Sequence, residues 1–199
     1  WVATDSELAE HLVRMLHERN YPNVKIVESQ NTGTNWLKNR GVRNVARVAG
    51  YTFAGYDFVD LTLEKERFTY PLPGFADWKN WVGRSWRDAD YRIDFAKFKT
   101  QLDNYYTLCV KNQFGTLPLS NKYWHYHGRM PYWACTVYAL HSFPVDFGFV
   151  DAYIGSDGAI GFAVQYTPKK LGMMIAGDDI FAIDIVGSGF ECPNHGARF

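Results

Sequence analysis

Cysteine is scarce: Cys109, Cys135 and Cys192 are the three in 199 residues, too scattered for a disulfide framework, and the odd number excludes complete pairing. They fall short of the roughly four thiolates an iron–sulfur cluster takes, so none is expected within this chain. A reducing, cytoplasmic compartment follows as the default. Net charge is missing too, because 21 Lys and Arg balance 21 Asp and Glu. That balance gives no general attraction to phosphate backbones and argues against a nucleic-acid partner. No run of about 18 apolar residues occurs, so no membrane span is expected. The GxSxG elbow, the HExxH helix and the Walker loop are absent, which removes the standard hydrolase, zincin and NTPase readings. Zinc has no diagnostic set either: neither the His125 and His127 pair nor Cys192 with His195 has a second pair beside it. The chain opens on Trp1 and not on Met, and is expected to be a segment of a longer one.

What is present suits a soluble globular domain. Hydrophobic residues make up 47% and charged residues 21%, and 22.9 kDa is enough to bury a core without staples. One domain over residues 1–199 is the expectation. Aromatics reach 17% and cluster from Tyr51 to Phe149. They can build a core, or Trp78, Trp81, Trp86, Trp124 and Trp133 can anchor a protein partner or a homo-oligomer.

Periodicity supplies the elements. Leu8, Leu12 and Leu16 follow Thr4 and Glu7, which have the capping-box spacing, and predict a helix over Asp5–Arg19. A strand is expected at Val24–Glu28, followed by the glycine-containing loop SQNTGTN, a helix at 42–49 closed by Gly50, and a strand around DFVDL. The stretch 70–90 is rich in Pro, Gly and Trp and reads as an aromatic loop or insertion. Beyond it come a strand at Tyr91–Phe95, helices within 102–113 and 130–142, buried strands at VDFGFVDAYI and KLGMMIAG, and a helix at Ile180–Val186. The glycines of IGSDGAIG read as a plain loop. Together these predict an α/β fold with a mostly parallel sheet flanked by helices on both faces.

Two charge sets could carry chemistry. Lys97 and Lys99 alternate along an extended stretch and so share a strand face, and Lys111 and Asn112 stand at a helix end. Three converging ammonium groups suit a phosphate or carboxylate; lysines at element ends facing water are the plainer reading. Asp151, Asp179 and Asp184 stand near expected strand ends, where carboxylates can converge on a hard cation such as magnesium. Asp178 or Asp179 can equally cap the following helix, and Asp184, among four apolar neighbours, needs a partner. His125 and His127 are the candidate general acid or base, with structural histidines as the commoner alternative.

The order DYRIDFAKFKTQ, LCVKNQFGTLP, FGFVDAYIGSDGAIG and LGMMIAGDDIFAIDIVG resembles the family known as domain of unknown function 362. The likeness extends to the opening TDSELAEHLVRML and covers most of the chain. That family has a K-x-K-T-H element, a K-N-x-x-G helix end, a V-D motif with a glycine-rich loop, and a G-x-D-x-x-A-x-D motif. The resemblance places these on Lys97, Lys99 and Thr100, then Lys111, Asn112 and Gly115, then Asp151, Gly155 and Gly158, then Gly177, Asp179, Ala182 and Asp184. Gln101 stands where the family usually has His, so a proton carrier or ligand there is lost unless His125 or His127 substitutes. The resemblance also implies a redox context, since relatives often carry an appended ferredoxin-like domain with iron–sulfur clusters. The expectation is an α/β domain that binds a small anion through Lys97, Lys99, Thr100, Lys111 and Asn112, with no reaction assigned.

Overall fold

The structure, a computed structural model, describes residues 3–31, 41–72, 74, 79–101, 105–126, 132–159 and 165–190. The chain runs α1 (Ser6–Glu18), β1 (Lys25–Glu28), α2 (Val42–Val48), β2 (Asp57–Asp60), β3 (Arg67–Pro71), β4 (Lys79–Gly83) and α3 (Arg84–Arg87). It continues through β5 (Ile93–Gln101), β6 (Tyr105–Thr107), α4 (Cys109–Asn112), a tight helical turn at Gln113–Thr116, α5 (Lys122–Tyr126) and α6 (Tyr132–Ser142). Last come β7 (Phe147–Ala159), β8 (Gln165–Lys169), β9 (Met173–Gly177) and α7 (Ile180–Ser188). These gather into two compact units, one of Ser6–Asp90 with Gln113–Pro144, the other of the residues up to Asp5, Tyr91–Asn112 and those from Val145 on.

In the first unit α1 turns Ala9 and Val13 inward, as the leucine-spaced pattern requires. Strands β1 and β2 pair in parallel from Lys25 opposite Asp57 to Glu28 opposite Asp60, with α2 as the helix between them in sequence. Strands β3 and β4 form an antiparallel hairpin. Residues 79–87 are therefore strand and short helix, although the stretch 70–90 reads as a loop. Alternation explains it, because Asn80 and Val82 are buried while Lys79 faces out.

The second unit is one five-stranded sheet in the order β6, β5, β7, β8, with β9 also on β7. Among the described residues of this unit only β5 and β7 pair in parallel; the other three pairings are antiparallel. The α/β class holds, but with β3 and β4 also antiparallel the sheets are of mixed type, where the sequence pattern suggested a mostly parallel one. The reason lies in β7, whose first half pairs with β9 and second half with β8, so that one long strand serves two short antiparallel neighbours. IGSDGAIG is accordingly strand as far as Ala159, and not a plain loop. Within 102–113 a helix is present but short, since the β-forming Tyr105, Tyr106 and Thr107 pair with the end of β5.

Candidate functional site

Central parallel strands are buried on both faces, and this is what takes polar side chains inside here. Ala96, Phe98 and Thr100 of β5 and Val150, Asp151 and Ala152 of β7 have no exposed surface. Lys97 stands opposite Asp151 in register, so their side chains leave the sheet on the same side, and Lys97 Nζ donates to Asp151 Oδ2 at 2.6 Å. The same Oδ2 accepts the Asp5 amide at 3.1 Å, and Oδ1 accepts the Tyr153 amide at 3.1 Å. A buried carboxylate with a lysine and two amides is fully answered.

Beyond this pair the register breaks. Lys99, two residues along β5, stands opposite Ser156, five along β7 from Asp151, so β7 bulges between them. Gly155 lies in the bulge because β7 there presses on β5: a Cβ would come within 2.7 Å of the Phe98 ring and 2.9 Å of its carbonyl oxygen. Thr100 closes the irregularity. Its hydroxyl accepts the Gly158 amide at 2.7 Å and can donate to the Gly158 carbonyl at 2.9 Å or to Asp157 Oδ1 at 3.2 Å. Gly158 holds φ at +136°, a conformation that favours glycine. The Ser156 hydroxyl, fully buried, meets no hydrogen-bond partner among the described residues.

The remaining candidates serve the short helix α4. Asp184, on α7, accepts the Cys109 amide at 2.8 Å and the Val110 amide at 2.9 Å, and so caps α4 from outside. Burial pushes its carboxyl up to about 6 even though both amides pull it down. Burial also drives the Cys109 thiol far up, with the charges of Asp94 and Asp184 adding to it, so this sulfur stays protonated and inert. Asn112 donates to Asp94 at 2.6 Å, and Lys111 is half-buried in the same turn. Asp179 caps α7, accepting the Phe181 and Ala182 amides at 2.9 and 3.0 Å.

The structure thus joins Lys97 to Asp151 and Asn112 to Asp94, and sets Lys99 across from Ser156. It does not bring Asp151, Asp179 and Asp184 together. Each answers a different protein group, and among the described residues no cluster of three or more His, Cys, Asp or Glu could hold a metal ion. The capping reading describes Asp179, and the partner that Asp184 needed is the end of α4. His125 belongs to the other unit, edge-on to the rings of Trp81 and Tyr126; His127, Trp78, Cys192 and His195 lie outside the described residues. Of the tryptophans, Trp86 is buried, Trp81 half-buried, and Trp124 and Trp133 are 63% and 58% exposed. Asp94, Ser156 and Asp157 escaped the sequence reading. The alternation that runs on through FVDAYIGSD was the signal for the last two.

The chain is thus an α/β protein that buries a lysine–aspartate pair between parallel strands and bulges just beyond it. The chain belongs to the family called domain of unknown function 362, whose model matches residues 1–189. No curated protein matches it. Among the described residues no helix is long and apolar enough to cross a membrane.

Proposed function

We propose that the far end of the β5 and β7 pair binds a small anionic molecule, a phosphate or a carboxylate, with Lys99 as its cation and the Ser156 hydroxyl as a neutral donor. The observation that carries this is the Ser156 hydroxyl, buried without a partner among the described residues at the register break directly across from Lys99. Buried hydroxyls are normally satisfied, so one left over beside a lysine suits an acceptor supplied from outside. Parallel strands also end at the edge where α/β domains place their ligands. Lys97 drops out of the contact set because Asp151 already neutralises it, and the Thr100 hydroxyl is taken up by Gly158. These two shape the site, while Asn112, bonded to Asp94 five residues back from Lys99 along β5, and its neighbour Lys111 drop out of the contact set. Magnesium would enter as the counter-ion of a bound phosphate and not on a three-aspartate cage.

Titration of the chain with inorganic phosphate and with acetate, followed by calorimetry, tests this. Lys99→Gln should weaken binding about 10-fold or more, the range for a hydrogen bond to a charged group, and Ser156→Ala should weaken it less. Binding that ignores both substitutions in folded protein would sink the reading.

A second reading, docking of a protein partner or a second copy through an aromatic surface, is supported by the exposure of Trp124 and Trp133. It expects mass to rise with concentration in light scattering, and to stop rising in a Trp124→Ser, Trp133→Ser variant. A wild-type mass that stays constant over a hundredfold range in concentration rejects it.

A further inference from the structure

The parallel pair β1 and β2 ends at a cavity that the anion reading does not use. Its volume is about 430 Å³, within the range of small-ligand sites, and Gln30, Val42, Arg43, Phe58, Asp60 and Leu63 are among its lining. The polar side is built and held. Asp60 Oδ1 accepts the Thr62 amide at 2.9 Å, Oδ2 accepts Gln30 Nε2 at 2.9 Å, and the Gln30 amide donates to Thr62 Oγ1 at 2.8 Å. Among the described residues each carboxylate oxygen of Asp60 therefore has one protein donor and keeps a second lone pair. The apolar side comes from Val42, Phe58 and Leu63. Arg43 also lines the cavity, its guanidinium 4.3 Å over the Phe53 ring and 5.9 Å from that of Phe58.

Chemistry narrows the occupant. Among the described residues of the lining Asp60 and Glu64 outnumber Arg43, which disfavours a bare anion. A carboxylate with two free lone pairs suits a pair of adjacent hydroxyls, and an apolar wall beside a stacked guanidinium suits a flat ring. Placement agrees: Asp60 is the last residue of β2 in a β1–α2–β2 unit, where an acidic side chain at the second strand's end takes ribose hydroxyls in dinucleotide-binding sheets. We infer that this cavity binds the ribonucleoside moiety of a small ligand, with Asp60 accepting its ribose hydroxyls. The site is distinct from the one proposed for the anion and stands or falls apart from it.

The test is titration of the full chain with adenosine, guanosine, cytidine and uridine, each beside its 2′-deoxy counterpart, read by amide chemical shifts. At least one ribonucleoside should shift the amides of Gln30, Gly41 and Asn44, and its 2′-deoxy form should bind at least fivefold more weakly. Asp60→Asn should weaken binding about tenfold. Because Asp60 also holds Thr62, a second variant guards the result. Gly41 lines the cavity with φ at −56°, and a Cβ there would meet nothing within 4 Å among the described residues, so Gly41→Leu adds bulk at the lining without straining the backbone. Binding should disappear in Gly41→Leu. No shift with any of the four ribonucleosides, equal affinity for the 2′-deoxy forms, or wild-type affinity in Gly41→Leu would overturn the inference.

Discussion

Two parallel strand pairs in this chain each carry an aspartate, one in mid-strand and one at a strand end, and the sequence around them disposes of the charge in opposite ways. Asp151 sits in the middle of a five-stranded sheet, has no exposed surface, and is neutralised by Lys97. Asp60 ends a two-stranded sheet, is half-buried beside a cavity, and among the described residues receives only neutral donors, from Thr62 and Gln30. A central strand forces any polar side chain indoors and so demands a counter-charge, whereas a strand at the mouth of a cavity can leave its carboxylate for a ligand. The same residue type in the same kind of place is thus structural in one pair and available in the other.

Breaking the cation of the first pair gives the largest effect. Lys97→Met leaves Asp151 charged and buried with two amides, and removing one partner of a buried pair costs about 3–5 kcal/mol. Asp60→Asn keeps the shape and an acceptor, so it should cost about 1 kcal/mol or less. Urea denaturation of the two variants checks the contrast, and equal losses would erase the distinction between the pairs. The double variant Lys97→Met, Asp151→Leu sharpens it: with no charge left inside, most of the loss should return.

Much of this was legible in the sequence because it depends on local pattern. Helix α1, strand β1 and helix α2 fall within a residue or two of where leucine spacing, a short apolar run and Gly50 put them. Asp179 was legible as a cap for the same reason, since the amides it accepts are two and three residues away. What stayed hidden depends on pairings far apart in the chain. Nothing near Lys97 says that Asp151, fifty-four residues on, will take its charge, and nothing near Asp184 points back to the amides of Cys109 and Val110. The bulge that sets Lys99 against Ser156 is likewise a property of two strands at once. A charge count therefore overstates an anion site wherever a lysine is already spoken for.

Asp184 shows a third way to hold a half-buried carboxylate, with backbone amides and, among the described residues, no cation, and this makes pH the sharper probe of the comparison. Its folded carboxyl titrates at about 6 against an unfolded value of 3.8. Between those values the folded chain holds a proton that the unfolded chain has released. The contribution is therefore full below about pH 4 and is lost as pH rises through 6. A shift of this size corresponds to roughly 2–3 kcal/mol. Other groups titrate in the same range, so the readout is the difference in unfolding free energy between wild type and Asp184→Asn. The variant cannot ionise there, and one amide oxygen still accepts from the start of α4. From pH 4.5 to pH 7 the difference should move steadily against the wild type. Parallel curves would mean that Asp184 stays ionised throughout, and that two amides suffice to keep a charge inside where β5 and β7 needed a lysine.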